Sequence, residues 1–288
     1  MKALLAMIVV SMSSVALAQP GAELPRRPDT TDTTTEPGFA VIDKLDASTA
    51  AGTDLSYVRV NNGPGVENPT LLRGMVNARY VDAERGLGGY VRVPFAYLRA
   101  PGDLGTETTT DVGDIEIGGI YSPRINQPGT GLILHAGITL PTGERGEAGA
   151  VGTFANLLAL PDVYNSLPRG TTMKLGMSPR FRSGRLFARL DIGLDWNFDS
   201  SDAPVGKALH FDAGVGADLE SIAVMLESEN VTLLSDDMGS ASMLNAVAVS
   251  ARFTAGTASP YLALAVPIDH DISQFLVLAV TAGVEIRP

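Results

Sequence analysis

The stretch Arg185–Phe198, RLFARLDIGLDWNF, alternates between apolar and polar side chains along its whole length. Its even-numbered positions are all apolar: Leu186, Ala188, Leu190, Ile192, Leu194, Trp196 and Phe198. Its odd-numbered positions are mostly charged, polar or small: Arg185, Phe187, Arg189, Asp191, Gly193, Asp195 and Asn197. A period of two residues predicts a β-strand with one apolar face and one polar face.

The same alternation recurs from about residue 55 to the end of the chain, most clearly in Leu209–Leu219 and Met173–Phe181. Twelve such segments are expected, near residues 55–61, 70–82, 87–99, 112–123, 131–141, 172–182, 185–198, 208–219, 222–232, 243–254, 260–268 and 275–286. No apolar run in this part of the chain approaches the length of about 18 residues that indicates a membrane helix.

Two architectures accommodate such strands. In a soluble sandwich the apolar face forms the core and the polar face meets water, whereas in an outer-membrane barrel the apolar face meets lipid and the polar face lines the lumen. Segment length favours the barrel, because about 9–11 residues cross a bilayer at the usual tilt and ordinary strands average about 5–6. We therefore predict an all-β transmembrane antiparallel β-barrel of about 12 strands.

The connections between the predicted strands fall into two classes. If the first strand leads outward from a periplasmic N-terminus, the outer connections are mostly long: 62–69, 100–111, 142–171, 199–207, 233–242 and 269–274. The inner connections are mostly tight: 83–86, 124–130, 183–184, 220–221 and 255–259. Long outer loops and short periplasmic turns are typical of bacterial barrels. For residues 142–171 a plug, a loop and a hairpin remain open.

The N-terminal part of the chain has a different composition. Residues 1–18 combine a charged start at Lys2, an apolar run and the sequence Ala16-Leu17-Ala18, which together predict a secretory signal peptide. Residues 19–54 are polar and rich in proline and threonine, which predicts a flexible periplasmic tail, apart from a short element at Phe39–Leu45. Residues 55–288 are assigned to the barrel, and the expected location is the cell outer membrane.

Composition excludes several classes of function. The 288 residues include 21 Lys and Arg against 32 Asp and Glu, a formal net charge of −11, so the positive field that collects nucleic acid is absent. The chain has no cysteine, which excludes a disulfide scaffold, thiolate metal sites and a cysteine nucleophile. No metal-ligand spacing or phosphate-binding loop is evident, so no cofactor and no metal are expected.

Two motifs on neighbouring predicted strands resemble a known family. The first is Thr110–Gly118, TDVGDIEIG, followed by Tyr121, and the second is Gly137–Gly143, GITLPTG. A GD-I-x-I strand followed by a strand that ends in LPTG resembles the outer-membrane transporter-like β-barrel family associated with the meta pathway of phenol degradation, over about residues 70–145. The resemblance implies a small barrel linked to uptake of hydrophobic or aromatic compounds, and it supplies no catalytic residues.

Aromatic side chains suited to the membrane interfaces are few, since aromatics make up 6% of the chain. The candidates are Tyr80, Tyr90, Tyr97, Tyr121, Tyr261 and Trp196.

Charged residues within the predicted strands are assigned to the lumen, because an outward Arg or Lys near mid-bilayer costs about 2–4 kcal/mol. The predicted pore-lining residues are Arg79, Arg92, Asp114, Glu116, Lys174, Arg180, Arg182, Arg185, Arg189, Asp191, Asp195, His210, Asp212, Asp218, Glu227 and Arg252. Positive and negative charges nearly balance in this set. They form either a constriction that selects solutes or a structural network of ion pairs that fills a narrow lumen.

An enzyme is the less favoured class. His210 and Asp212 share a strand face, but residues two apart on a strand lie about 7 Å from each other, and no serine is fixed beside them by the sequence. Acidic residues in the outer connections suit hard divalent cations that bridge lipopolysaccharide, but no fixed ligand spacing is present and ordinary solvated loops are the favoured explanation.

The sequence therefore predicts an outer-membrane channel for passive uptake of small, hydrophobic or aromatic solutes. The alternatives are a non-conducting barrel with structural or surface-interaction duties, and a secreted soluble β-sandwich that binds ligands. The expected partners are outer-membrane lipid, lipopolysaccharide, an unidentified small solute and, during biogenesis, the barrel-assembly machinery.

Overall fold

The computed structural model describes residues 38–42, 45–61, 68–102, 105–143, 171–198, 206–234, 242–274 and 276–288. All of them belong to the compact unit Thr35–Pro288. The predicted signal peptide, most of the predicted tail and most of the connection 142–171 lie outside the described residues. The choice among plug, loop and hairpin for that connection therefore stays a prediction.

Thirteen strands and one short helix make up the described structure. The strands are β1 (Ala50–Val60), β2 (Thr70–Val81), β3 (Leu87–Gly102), β4 (Gly105–Val112), β5 (Ile115–Tyr121), β6 (Thr130–Leu140), β7 (Thr172–Ser183), β8 (Leu186–Asn197), β9 (Lys207–Asp218), β10 (Ile222–Leu234), β11 (Ser242–Phe253), β12 (Ala258–Pro267) and β13 (Leu276–Ile286). The helix α1 (His270–Ser273) is a single turn. None of the described helical residues forms a helix long and apolar enough to cross a bilayer.

The strands form one closed antiparallel sheet. Each strand pairs with the next along the chain except β4, which pairs with β3 and not with β5. β1 pairs with both β2 and β13, which closes the ring. β3 pairs with β5 through its first half and with β4 through its second half, so β4 and β5 share one position in the wall. The barrel therefore has twelve wall positions, as predicted from the alternation, and the sandwich alternative is wrong.

The break between β4 and β5 is a β-bulge opposite Pro94. Phe95 pairs with Val112 and Arg92 pairs with Glu116, so the β4–β5 side carries one extra residue. Pro94 has no N–H to donate, and its carbonyl accepts the Gly113 N–H at 3.0 Å. Residues 105–111, predicted to belong to a loop, instead lie in β4, because this hairpin continues past the bulge.

The two ends of the barrel differ in their connections. One end carries five short turns, each with one residue in the left-handed region: Gly86, Gly129, Gly184, Glu220 and Gly256. A Cβ on Gly86 would lie 2.1 Å from the Ser122 carbonyl oxygen, so glycine is required there. We call this end, which also carries the start of β1 and the end of β13, the short-turn end. The opposite end, with the longer connections, is the loop end.

The outward face of the barrel is apolar and exposed. Large exposed side chains point outward from strands around the ring, among them Leu55, Val76, Phe95, Ile117, Leu186, Phe211, Leu226, Val249 and Leu264. A closed barrel with an apolar outer surface is the arrangement of proteins that cross a membrane with strands.

The barrel begins earlier than the sequence indicated. β1 starts at Ala50, so the boundary predicted at residue 55 is too late. The described residues before it, 38–42 and 45–49, include the buried side chains Phe39, Ala40, Ile42 and Leu45. These apolar side chains bury surface on folding, which the proline- and threonine-rich sequence around them has too few apolar residues to do. We call residues 38–42 and 45–49 the crossing segment.

Candidate functional site

The lumen is the candidate site, because the inward faces of the strands carry most of the charge. Of the sixteen predicted pore-lining residues, twelve are buried: Arg79, Arg92, Asp114, Glu116, Lys174, Arg189, Asp191, Asp195, His210, Asp212, Glu227 and Arg252. Arg180, Arg182 and Asp218 are partly buried. Arg185 precedes β8 and is 66% exposed at a short turn, where its guanidinium pairs with Glu220.

Glu116 on β5 is the centre of one charged cluster. Its carboxylate accepts a hydrogen bond from the Tyr90 hydroxyl at 2.6 Å and one from the Lys174 ammonium at 3.1 Å. The Arg92 guanidinium lies 3.9 Å away. Gly137 of β6, the strand between β5 and β7, leaves room for the Tyr90 hydroxyl to reach Glu116. A Cβ at position 137 would lie 2.2 Å from the Tyr90 hydroxyl oxygen. The cluster joins β3, β5 and β7 across the inner surface.

A second charged cluster lies on β7, β8 and β9. Arg189 contacts Asp191 at 2.7 Å, and Ser178 donates a hydrogen bond to the same carboxylate. His210 Nε2 lies 2.9 Å from Asp195 Oδ2 on the neighbouring strand. His210 therefore pairs across strands, not with Asp212 as a catalytic arrangement would require, and no serine of the described residues hydrogen-bonds to it.

Asp114 has a structural role that ties together the two halves of the sequence motif. It lies in the β4–β5 bulge, and its carboxylate accepts the Gly143 N–H at 2.7 Å. The Thr142 hydroxyl accepts the Ile115 N–H at 2.9 Å. The GD and PTG residues thus fasten the end of β6 to the bulge, which explains their spacing in physical terms.

Sequence reasoning missed several buried charges: Asp54, Arg73, Asp111, Glu229, Glu285 and Asp46. Arg73 lies on the same inward face of β2 as Leu71 and Met75. Because that face carries both charged and apolar residues, alternation along the sequence did not indicate that Arg73 points inward. With these included, the buried ionisable side chains of the described residues comprise eleven acids and six Arg or Lys residues. Among the buried side chains that the structure describes, acids therefore outnumber bases, whereas the predicted set was nearly balanced.

Apolar side chains form a separate part of the lumen near the loop end. Val58, Leu71, Ala96, Ala248, Ala265, Leu276 and Ala279 form one cluster, contributed by β1–β3 and β11–β13. We call this cluster the apolar wall. The charged wall stands on β5 and β7–β10 and consists of Glu116, Lys174, Arg189, Asp191, Asp195, His210, Asp212 and Glu229.

Two of the predicted interface aromatics belong to the lumen. Tyr90 and Tyr261 are 3% and 6% exposed, and their hydroxyls bond to Glu116 and Asp54, respectively. Their positions on β3 and β12 point inward, which the sparse aromatic pattern did not indicate. Trp196 does lie outward, stacked on Phe198 with centroids 5.4 Å apart and with the Lys207 ammonium 5.1 Å from its ring.

The crossing segment lies at the short-turn end of the lumen. Phe39 packs edge-to-face on Phe187 of β8, with centroids 5.4 Å apart. Leu45 belongs to a buried cluster with Val81, Tyr90, Ile120 and Ile133, on β2, β3, β5 and β6. The buried cluster around Phe39 also includes Ala223 and Met225 of β10. Because β10 stands six of the twelve wall positions away from β3, the segment passes across the lumen.

Ion pairs hold the second half of the crossing segment. The Asp46 carboxylate lies 3.0 Å from Arg79 and 3.2 Å from Arg287. Burial alone would raise the pKa of Asp46, but these two guanidinium groups and hydrogen bonds from Ser48 outweigh it and hold the pKa below its ordinary value. Glu285 pairs with the same two arginines, at 3.1 and 2.7 Å.

Comparison with known proteins shows the fold alone. No protein-family model matches the chain, and no curated protein matches it in sequence. Among solved structures, the chain is similar to an outer membrane channel from Pseudomonas putida F1, at 13% identity over 84% of this chain and 96% of that one, with a TM-score of 0.61. It is also similar to the NanC porin, at 8% identity over 82% and 100% of the two chains, with a TM-score of 0.52.

Proposed function

We propose that this protein is an outer-membrane channel for passive passage of small solutes. The observation that carries the proposal is the opposite chemistry of the two faces of one closed sheet. The outward face exposes large apolar side chains, while the inward face buries ionised ones. Such a barrel places a polar route inside an apolar surround, as porin-type barrels do.

The solute class follows from the two walls. The charged wall carries more acid than base and therefore favours cations over anions. The apolar wall offers small aliphatic side chains that an apolar or aromatic body can contact. We infer that solutes with an apolar body and a positive or neutral polar group pass most readily, which agrees with the uptake of hydrophobic compounds expected from the sequence resemblance.

Orientation and partners belong to the same proposal. The short-turn end faces the periplasm and the loop end faces outward, as in bacterial barrels. Export through residues 1–18 and insertion by the barrel-assembly machinery precede function. Lipid surrounds the outward face in this proposal, and we expect Lys207, whose ammonium lies beside Trp196, to contact lipopolysaccharide phosphate.

No catalysis is included in the proposed function. His210 pairs with Asp195 of the neighbouring strand and not with Asp212. Among the described residues, no serine hydroxyl hydrogen-bonds to His210 as a nucleophile would. The second candidate, a non-conducting barrel, has one specific observation in its favour: the crossing segment occupies the short-turn end of the lumen.

Efflux from proteoliposomes tests the proposal. The probes are radiolabelled arabinose, benzyltrimethylammonium and benzenesulfonate, the last two being of similar size and permanently charged with opposite sign. We expect efflux above that of protein-free vesicles, faster for the cation than for the anion. Efflux of all three probes at the rate of protein-free vesicles, from wild type and also from Glu227→Ala, which lacks the carboxylate that binds the crossing segment, would reject the channel. Faster efflux of the anion would reject the inferred solute class.

A further inference from the structure

The crossing segment interrupts the route through the barrel. From Phe39 to Leu45 the chain moves from contacts with β8 and β10 to contacts with β2, β3, β5 and β6. Ala40 lies between these ends and packs against Tyr261 and Ala263 of β12. The segment thus touches the wall on several sides at one level of the lumen.

One carboxylate holds the first half of this segment. Glu227 of β10 accepts hydrogen bonds from three successive backbone N–H groups, those of Ala40, Val41 and Ile42, at 3.2, 2.8 and 3.0 Å. The Ser250 hydroxyl donates to the same carboxylate and orients it. Hydrogen bonds to a buried ionised group are the stronger kind. Glu227 is therefore a latch for the backbone of the segment.

Arginines complement this latch at both ends of the segment. Arg252 Nε donates to the Gly38 carbonyl at 2.7 Å, and its guanidinium lies over the Tyr261 ring at 4.6 Å. At the other end, Arg79 Nε donates to the Ser48 carbonyl at 2.9 Å and its terminal nitrogen pairs with Asp46. The polar side chains of the lumen wall therefore contact the backbone of the segment and the carboxylate of Asp46.

The wall also has a recess for Phe39. A Cβ built on Gly214 of β9 would lie 2.4 Å from the Phe39 ring, so alanine at this position would collide with it. Gly193 on β8 is also inward, yet a Cβ there would meet nothing closer than 3.4 Å. Glycine at position 214 accordingly provides space for the ring of the segment.

The described residues of the segment make no strand ladder with the wall, whereas every strand of the barrel does. Segments held by side-chain contacts open at lower free energy than paired strands. We propose that residues 38–42 and 45–49 form a gate that closes the short-turn end of the channel and must leave its position for solutes to pass. This inference rests on the proposed channel function, and it unites the two candidate functions as closed and open states of one barrel.

Two matched pairs of variants test the gate through the rate of arabinose efflux. Glu227→Ala removes the latch, and we expect about tenfold faster efflux, corresponding to about 1.4 kcal/mol taken from the closed state. Its control is Glu220→Ala, the same change at an exposed acid in a turn at the same end. The added methyl group of Gly214→Ala would displace the Phe39 ring, so we expect this variant to release arabinose faster than wild type. Gly193→Ala, whose methyl group meets no atom closer than 3.4 Å, should leave the rate of arabinose efflux unchanged. Heat-modifiable gel migration shows that each barrel is folded.

A reversible lock gives the converse test, since the chain lacks cysteine. Ala40→Cys with Ala263→Cys, joined by a short disulfide-forming crosslinker, fixes the segment to β12. We expect efflux to fall to that of protein-free vesicles and to return on reduction. Equal efflux of locked, reduced and wild-type protein would overturn the gate and leave the channel standing. Absence of efflux from the wild type, from Glu227→Ala and from the reduced protein alike would instead overturn the channel itself, and the gate with it.

Discussion

The charged wall and the apolar wall of the lumen face the same space but are stabilised differently. On the charged wall, Glu116 is held by Tyr90, Lys174 and Arg92, so each group depends on several others. On the apolar wall, Leu71 and its neighbours make non-directional contacts. A buried ionic cluster is costly to break at one member, whereas an apolar cluster loses stability in proportion to the volume removed. The two walls should therefore respond differently to single substitutions.

The largest effect is expected on the charged wall. Glu116→Ala leaves Lys174 and Arg92 buried without their shared carboxylate, and we expect a loss of about 3–5 kcal/mol in the free energy of unfolding. Urea unfolding followed by the fluorescence of Trp196, the only tryptophan, measures it. Glu220→Ala, which removes an exposed acid, is the control. Equal losses for the two variants would show that the cluster does not stabilise the barrel.

On the apolar wall, Leu71→Ala should cost about 2–3 kcal/mol, because Leu71 is 2% exposed and packs in the buried cluster. The control is Leu72→Ala. The neighbouring Leu72 points outward, so this variant makes the same leucine-to-alanine change without leaving a cavity in the lumen. Unfolding in urea again gives the comparison. A larger loss for Leu72→Ala would mean that the inward cluster is not a packed core.

A smaller, pH-dependent effect is expected where the crossing segment meets the wall. Asp46 faces Arg79, Arg287 and Glu285, and its pKa is held below the ordinary value of 3.8. The stability that ionised Asp46 contributes is therefore fully present above about pH 4 and is lost as the pH falls through the lowered pKa. The difference in urea midpoint between wild type and Asp46→Asn should stay constant from pH 7 to 5 and shrink towards pH 3. A difference that vanished between pH 7 and 5 would contradict this assignment.

The smallest effect should come from a neutral polar pair beside the apolar wall. The hydroxyls of Ser56 and Thr281 lie 2.7 Å apart and are buried. Ser56→Ala leaves the Thr281 hydroxyl without this partner and should cost about 1 kcal/mol, whereas Ser56→Ala with Thr281→Val should be nearly neutral. The double variant is measured by the same unfolding assay. Its near-neutral effect would contrast with the large loss of stability expected for Glu116→Ala. A double variant less stable than the single one would show that this pair behaves like the charged wall.

The sequence predicted the wall of the barrel well, because alternation along a strand directly records which side meets lipid. The pattern on Arg185–Phe198 predicted that Arg189, Asp191 and Asp195 point inward, and all three side chains are buried in the structure. The pattern fails where both faces are mixed. On β2, Arg73 stands between inward Leu71 and Met75, so its side of the sheet could not be assigned from alternation.

The crossing segment could be anticipated only as a short element. Phe39–Leu45 is apolar enough to be buried, but nothing local shows that the partners of this segment are Glu227 and Arg252, which lie 186 and 214 residues along the chain from the groups they bind. Closure of the ring brings those residues to the segment, and closure is a property of the whole chain. For the same reason Tyr90 and Tyr261 were expected at the membrane interfaces and are found in the lumen.

Single-channel recording in planar bilayers tests most directly whether the charged lumen conducts. Glu227→Ala should give discrete current steps, with a reversal potential in a KCl gradient that shows preference for potassium over chloride. Wild-type protein should give the same steps less often, because the crossing segment closes it for most of the time. Current no greater than that of the lipid alone, from wild type and Glu227→Ala alike, would contradict a conducting barrel.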